Sequence, residues 1–263
     1  MNQQTKLATE NIDGLNNNGQ HFYSFVKQRP ETDFFLLQET RKSIAETYKS
    51  TSVHKGYSAV AVQNTGNTSR SGCVTMYKSK HKPINILTKL PGSTKPGNDG
   101  RFIGIEFKDF WLINLYNLHA GTYHERIPDK IKWFDRLLNT LNNFDKKKPV
   151  IAAGDYNIAS PYINANLQQR YNAGFLPDEQ DMLAKLSLNF TDALKYKYPT
   201  LQKMLQYLNT KGASQNFLAK AFRIDYVFVS NRIAKNIVSA DVLINPNVTY
   251  TDSHIPIEVV IQF

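Results

Sequence analysis

The sequence predicts a mixed α/β fold, and three features of its 263 residues carry that prediction. A strand, a helix and a second strand follow one another between residues 7 and 39. Short β runs separated by turn residues occupy residues 57–116, and an amphipathic helix then leads into an apolar strand at 149–157. This alternation is typical of α/β proteins. Since no Pro/Gly/Ser-rich linker interrupts it, we expect one domain spanning residues 1–263.

The composition limits which functions are open to the chain. A hydrophobic fraction of 41% and an aromatic fraction of 12% indicate a folded globular protein. The single Cys73 excludes an internal disulfide framework and a cysteine-rich zinc site, and we expect it to be a small buried apolar residue. No apolar run reaches membrane-spanning length, so we expect a cytoplasmic protein without a membrane partner. The net charge of +10 favours a polyanionic partner such as nucleic acid.

The first elements predict a pair of parallel strands. Residues 7–11 form the first predicted strand and residues 33–39 a second one, buried on both faces. Apolar residues at helical spacing predict a helix over residues 21–29, and Pro30 ends it. A helix that connects two strands in so few residues favours a parallel crossover.

The next part of the chain predicts an antiparallel meander. Turn-rich segments such as Asn64-Thr65-Gly66-Asn67 separate short β runs there. These predicted strands are residues 57–62, 73–77, 84–88, 102–107 and 111–116.

The second half of the chain returns to helices and longer strands. The helix after residue 127 is predicted to bury one apolar face, formed by Ile127, Ile131, Phe134, Leu138 and Leu141. The apolar strand that follows ends in Gly154-Asp155-Tyr156-Asn157, and on extended chain Asp155 and Asn157 would point to one side. Further along we expect a polar loop, two helices and two closing strands, at residues 161–172, 178–186, 201–208, 223–229 and 255–261.

Polar side chains collect at the ends of the predicted strands. They are Asn11 and Asp13, Glu39, Asp155 and Asn157, Asp225, and His254. Each of them alone is typical of a turn, but open α/β sheets place their ligands at strand ends, so the set indicates a site. Oxygen ligands with one histidine suit a hard divalent cation such as Mg²⁺ rather than zinc. A metal with carboxylates that position water also matches phosphoryl chemistry.

These residues lie in motifs through which the chain resembles the exonuclease III/AP endonuclease branch of the endonuclease/exonuclease/phosphatase superfamily. The motifs follow in family order: Asn11-Ile12-Asp13-Gly14-Leu15, Leu37-Gln38-Glu39-Thr40, Ser71-Gly72-Cys73-Val74, Asp99-Gly100-Arg101, Gly154-Asp155-Tyr156-Asn157-Ile158-Ala159, Asn172-Ala173-Gly174-Phe175 and Arg223-Ile224-Asp225-Tyr226. The resemblance implies a four-layer α/β sandwich, with two packed mixed β-sheets flanked by helices. It implies a monomeric DNA repair nuclease that uses Mg²⁺, with Mn²⁺ possible. The implied substrate is duplex DNA with abasic sites, cleaved on their 5′ side, or with 3′-blocked ends.

The resemblance also implies roles for the residues at the strand ends. Glu39 is expected to be the principal metal ligand, assisted by Asp13. Asp155 is expected to position and activate the attacking water. Asn157 and Asn11 would hold the phosphate and the network around it.

Three further residues are expected to contact or orient the phosphate. Tyr116 would contact the scissile phosphate, and His254 would bind a non-bridging oxygen. Asp225 would orient His254, since a carboxylate behind an imidazole fixes its tautomer and favours its charged form.

The chain departs from the family pattern next to His254. The family places an aspartate before the histidine, whereas this chain has Ser253, and Asp252 is one residue out of register. A hydroxyl carries no negative charge, so we predict weaker metal binding or slower turnover, which Ser253→Asp should improve. His119 stands where the family has asparagine, and it would either contact phosphate or serve as a polar loop residue.

Cations and aromatic residues interleave between residues 195 and 223, without any acidic residue. Such a segment suits a duplex-gripping loop, although a solvated helix face with core aromatics would have a similar composition. Including residues from the family motifs, the candidate DNA-binding set is Arg101, Asn172, Lys203, Lys211, Lys220, Phe222 and Arg223. Two alternatives remain open: a related metal-dependent nuclease or phosphodiesterase with another substrate, and a DNA-binding protein with weakened catalysis.

Overall fold

The structure is a computed structural model that describes residues 4–15, 24–52, 54–64, 66, 71–93, 100–160, 172–212, 223–244 and 254–263. Two six-stranded sheets form its centre. The first contains β1 (Gln4–Asn11), β2 (Phe34–Gln38), β3 (Tyr57–Val62), β4 (Cys73–Lys78), β11 (Ile237–Val242) and β12 (Ile257–Gln262). The second contains β5 (Asn85–Leu87), β6 (Phe102–Glu106), β7 (Trp111–Tyr116), β8 (Val150–Asp155), β9 (Phe190–Asp192) and β10 (Asp225–Ser230).

Each sheet is mixed. The strand order is β11-β12-β1-β2-β4-β3 in the first sheet and β5-β6-β7-β8-β10-β9 in the second. One parallel pair lies at the centre of each sheet, β1 with β2 and β7 with β8. The predicted parallel pairing of the first two strands is therefore confirmed, and residues 24–27 between them are helical.

The helices lie outside the sheets. They are α1 (Ile44–Thr51), α2 (Ile127–Asp145), α3 (Pro177–Ser187), α4 (Ala193–Lys197), α5 (Leu201–Thr210) and a 3₁₀ helix at Asn231–Asn236. Apolar residues of both sheets form one core between them, and α2 and α3 pack on the outer face of the second sheet. The outer face of the first sheet packs against Phe25 and Val26. This is the predicted four-layer α/β sandwich. Among the described residues, no helix is long and apolar enough to cross a membrane.

A polar network joins the two sheets beneath their carboxyl-terminal edge. Gln38 at the end of β2 donates to Asn114 Oδ1 at 2.8 Å. Asn114 in β7 donates to the carbonyl oxygen of Val74 in β4 at 2.9 Å. Both amides are buried, and a buried polar group left without a partner is costly. The network therefore fixes how the ends of β2 and β7 face each other.

Two predictions about the elements were wrong in part. The meander is interrupted, because β3 and β4 belong to the first sheet and β5, β6 and β7 to the second. Of the predicted face of the long helix, Phe134 and Leu141 are buried, and Ile131 and Leu138 pack partly buried against the same core. Lys130, Trp133 and Leu137 are also buried, which was not predicted. Lys130 faces inward because it has a buried acidic partner, which the apolar pattern did not include.

Short elements and the residues outside the described ranges account for the remaining differences. Neither α1 nor the three-residue β9 was predicted, and the same holds for α4, the 3₁₀ helix and β11. β11 lies at a sheet edge and alternates buried and exposed positions, which gives a weaker sequence signal than a continuous apolar run. The predicted polar loop lies outside the described residues up to position 171.

Candidate active site

The site lies where the parallel strands of both sheets end. Asn11 closes β1, and its Nδ2 donates to Glu39 Oε1, just past β2, at 3.1 Å. The same amide donates to Asp155 Oδ2, at the end of β8, at 3.1 Å. Asn11 thus connects carboxylates that the chain delivers from two different sheets.

A sharp turn after β8 presents Asp155. Gly154 has a φ of +141°, and a Cβ added there would lie 2.0 Å from the carbonyl oxygen of Leu115, so only glycine fits. Asp155 is buried, and its Oδ1 accepts from the backbone N–H of Asn157 at 2.7 Å. Asn157 has a φ of +50° and donates from Nδ2 to the carbonyl oxygen of Asn117 at 3.0 Å. Asp155 is therefore held in one orientation by the turn that it begins.

The environment of Asp155 favours its protonated form. Burial raises the pKa of this carboxyl, and the negative charge of Asp225 raises it further. The two residues are register partners on neighbouring antiparallel strands, which brings the carboxylates close together. The charge of His254 opposes this effect, but the pKa remains raised above its usual range. A carboxylate with a raised pKa is suited to accept a proton near neutral pH.

His254 and Asp225 form a pair beside Asp155. His254 Nδ1 lies 2.6 Å from Asp225 Oδ2. Burial lowers the pKa of His254, but the charge and hydrogen bond of Asp225 outweigh it and raise this pKa to about 10. The imidazole is therefore charged at neutral pH. Ligand atoms of Asp155, Asp225 and His254 lie within 4.8 Å of one another.

Glu39 accepts hydrogen bonds at the opposite side of the site. The hydroxyl of Tyr116 donates to Glu39 Oε1, as does the amide of Asn11. Burial raises the pKa of Glu39, but these donors and the charge of Arg41 outweigh it, so the pKa is lowered. Burial and the negative charge of Glu39 raise the pKa of Tyr116 above its usual range, which keeps its hydroxyl protonated.

The chemistry of the donor set fits a hard divalent cation. Glu39 and Asp13 both contact Nη2 of Arg41, and the distance from Asp13 Oδ1 is 2.6 Å. A positive charge thus already lies between the two predicted metal ligands. Carboxylate oxygens are the ligands that Mg²⁺ prefers in proteins.

Two of the predicted DNA-binding arginines are engaged within the protein. Arg101 donates to the carbonyl oxygens of Tyr116 at 3.2 Å and Asn117 at 3.1 Å, which supports the loop after β7. Arg223 forms an ion pair with Asp192, and both side chains are about nine-tenths buried. Direct DNA contact by either arginine stays a prediction.

Three of the other predicted DNA-binding residues are described by the structure, and they lie on or near the surface. Lys203 is exposed on α5, and Lys211 after the end of this helix lies 3.3 Å from Asp241. Asn172 is exposed before α3. Four predicted residues lie outside the described part of the chain: Lys220, Phe222, Asp252 and Ser253.

His119 lies in the loop after β7 and is exposed at the surface. Its Nδ1 accepts from the backbone N–H of Gly121 at 3.0 Å, so the neutral ring carries its proton on Nε2. Burial lowers the pKa of His119, and the charge of Lys130 lowers it further. The residue is therefore a neutral donor, and both of its predicted roles remain open.

Sequence reasoning missed three residues that shape the site. Arg41 contacts the predicted metal ligands. Lys130 donates to Glu179 Oε1 at 2.5 Å and to the carbonyl oxygen of Asn157 at 2.7 Å, and the ion pair is fully buried. The one sequence signal for this ion pair was a lysine on the buried face of an amphipathic helix. Its acidic partner lies 49 residues away, so local spacing could not supply it.

Comparison with known proteins agrees with this architecture. The sequence profile of the Endonuclease/Exonuclease/phosphatase family matches residues 9–247. The chain is 28% identical to an exodeoxyribonuclease of Bacillus subtilis, over 98% of the chain and 99% of that protein. It is 26% identical to a DNA-(apurinic or apyrimidinic site) endonuclease of Dictyostelium discoideum, over 89% of the chain and 64% of that protein.

Solved structures show the same fold. An AP endonuclease from Leishmania major superposes with a TM-score of 0.80 at 21% identity, covering 99% of this chain and 88% of that one. An AP endonuclease from Archaeoglobus fulgidus superposes with a TM-score of 0.78 at 20% identity, covering 98% and 99%. At these identities the similarity establishes the fold.

Proposed function

Because the chain belongs to the endonuclease/exonuclease/phosphatase family, we propose that it is a Mg²⁺-dependent DNA repair nuclease. The proposed reaction is hydrolysis of the phosphodiester on the 5′ side of an abasic site in duplex DNA. Its similarity to an exodeoxyribonuclease supports an additional activity on 3′ ends. The observation that carries the proposal is the hydrogen-bonded group of Asn11, Glu39, Asp155 and the Asp225–His254 pair at one edge of both sheets.

Proton transfer is assigned to Asp155. A water that attacks phosphorus must lose a proton, and a buried carboxylate with a raised pKa accepts it. Asn11 and the backbone N–H of Asn157 leave little freedom for the carboxylate to rotate. The bond between phosphorus and the 3′ oxygen then breaks, and the leaving oxygen takes up a proton from solvent. The products are a 3′ hydroxyl on the upstream nucleotide and a 5′ phosphate on the abasic sugar.

Charge stabilisation is assigned to His254 and the bound cation. Asp225 accepts the hydrogen bond from Nδ1 of the charged His254 ring. Nε2–H of the ring can therefore donate to a non-bridging phosphate oxygen. Mg²⁺ held by Glu39 and Asp13 would neutralise charge on the phosphate. The hydroxyl of Tyr116 donates to Glu39 and would keep this carboxylate in place for the metal.

The test is a gel with a duplex that contains one abasic site, incubated with Mg²⁺, with Mn²⁺ or with EDTA. We expect one cut on the 5′ side of the lesion, lost in EDTA and reduced at least about a hundredfold in Asp155→Asn. Asp109→Asn is the control, because it removes an exposed carboxylate from the loop before β7, at the opposite edge. A shortening ladder from 3′ ends would report the exonuclease activity.

The outcomes separate the alternatives. Binding of the duplex without cleavage in either metal would favour a DNA-binding protein with weakened catalysis. Cleavage of undamaged DNA at the same rate would favour a nuclease of another specificity. Monomeric state and cytoplasmic location stay predictions.

A further inference from the structure

Arg41 lies at the position expected for the cation. Its Nη2 lies 2.6 Å from Asp13 Oδ1 and also donates to Glu39 Oε2. The guanidinium therefore bridges the two carboxylates that the proposed function assigns to the metal. About two-fifths of the Arg41 side chain is exposed, whereas the Glu39 side chain is mostly buried.

The backbone prepares this placement. Arg41 has a φ of +50°, in the left-handed region, and its N–H donates to the carbonyl oxygen of Ser71 at 3.0 Å. Its side chain then passes over Gly14, where an added Cβ would lie 3.4 Å from Arg41 Cδ. A side chain at position 14 would crowd this path. The backbone conformation of Arg41 and the absence of a side chain at Gly14 thus place the guanidinium against both carboxylates.

We propose that Arg41 competes with the divalent cation for Glu39 and Asp13, and that metal binding transfers its guanidinium to a backbone phosphate of the DNA. A cation at its usual ligand distance of about 2.1 Å needs the oxygen lone pairs that Arg41 engages. Once released, the planar guanidinium is suited to bidentate contact with phosphate oxygens. Metal binding frees the guanidinium for the DNA, and DNA that holds the guanidinium leaves Glu39 and Asp13 free for the metal. Each ligand therefore strengthens the binding of the other.

The first half of the proposal is tested without DNA, so of the proposed function it rests only on the assignment of Glu39 and Asp13 to the metal. The affinity for Mn²⁺ is measured by electron paramagnetic resonance for the wild type, Arg41→Gln and Arg41→Lys. We expect Arg41→Gln to bind Mn²⁺ about fivefold more tightly, since a partly exposed ion pair of about 1 kcal/mol no longer competes. Arg41→Lys keeps the charge without the planar fork and should lie between the two.

Lys42→Gln is the matched control, because it removes the same charge one residue away. Lys42 forms no ion pair with Glu39 or Asp13 in the described part of the chain. Competition by Arg41 is refuted if Arg41→Gln leaves the Mn²⁺ affinity unchanged, or changes it no more than Lys42→Gln does. Thermal melting of each variant shows that the compared proteins are folded.

The second half rests on the proposed function and uses the product of the reaction. A duplex nicked on the 5′ side of an abasic-site analogue, with a phosphorothioate 3′ end, is titrated by fluorescence anisotropy in EDTA and in Mn²⁺. We expect Mn²⁺ to tighten DNA binding in the wild type and in Lys42→Gln, and to do so much less in Arg41→Gln. Equal tightening in all three would overturn the transfer of Arg41 to phosphate. If the wild type does not bind the nicked duplex in either condition, the transfer and the proposed substrate both fail, while the Mn²⁺ result without DNA still stands.

Discussion

Replacing Lys130 by methionine should both destabilise the protein and slow the reaction. Lys130 and Glu179 have no solvent exposure and lie 2.5 Å apart. Removing one member of a buried pair leaves the other charge without compensation, which costs about 3–5 kcal/mol. We expect Lys130→Met to lower the free energy of unfolding by that amount.

Urea denaturation at pH 7 measures this loss of stability. Lys132→Met is the matched control, because Lys132 is exposed on the same helix, and it should change stability by less than about 0.5 kcal/mol. Adding Glu179→Gln to Lys130→Met should restore part of the loss, since no buried charge then remains. A loss below about 1 kcal/mol, or strictly additive single losses, would refute the reasoning.

The same variant tests whether the pair positions the catalytic turn. Lys130 Nζ also donates to the carbonyl oxygen of Asn157 at 2.7 Å, and Asn157 holds Asp155. We expect kcat of the folded variant to fall while KM for the abasic duplex changes little, and Lys130→Arg to recover part of kcat. An unchanged kcat would mean that the ion pair serves stability alone.

Two further predictions concern the backbone and the opposite edge of the sheet. Gly154→Ala places a Cβ 2.0 Å from the carbonyl oxygen of Leu115. We therefore expect a loss of soluble protein or a melting temperature lower by about 10 °C. A melting temperature equal to that of the wild type would contradict this. Asp33 is the second case: burial raises its pKa, but hydrogen bonds from His81 and Lys80 outweigh it and hold the pKa well below its usual range. The stability that the lowered pKa of Asp33 provides is present above the unfolded pKa of about 4 and is lost as pH falls. Asp33→Asn should therefore cost about 2 kcal/mol at pH 7 and less at pH 3 in urea denaturation. An equal cost at both pH values would rule out this linkage.

The fold was predictable wherever one strand or helix carried its own signal. β7 was predicted with its observed bounds, because residues 111–116 are an uninterrupted buried run between turns. The assignment of β5 to a different sheet from β4 was not predictable, since its three residues say nothing about which neighbour they pair with. The buried face of α2 was predicted only in part, because Lys130 is not part of the apolar pattern. Its burial depends on a tertiary partner, which periodicity does not reveal.

The site was predictable as a set of residues but not as a set of contacts. Motifs located Asn11 and Asp155, whereas their hydrogen bond joins positions 144 residues apart. Arg223 was predicted to contact DNA from its position in a basic segment, and that prediction did not include its ion pair with Asp192, 31 residues away. Arg41 was missed because it lies beside a motif residue and its relevance appears only when Asp13 and Glu39 approach it.

The backbone conformation explains why these contacts form beyond the strands. Asp13, Glu39, Arg41 and Asn157 all have left-handed φ values between +46° and +52°. For residues other than glycine this conformation costs roughly 1–2 kcal/mol each, and it persists only where other interactions impose it. If the chain stayed extended after the strands, side chains two residues apart would point the same way, but they would lie beyond the edge of the sheet. Hydrogen bonds such as that from Asp13 N–H to Asn11 Oδ1 at 3.1 Å impose the bend instead. The left-handed residues therefore turn the chain back over the strand ends, and the strain is placed at the residues that the proposed chemistry requires.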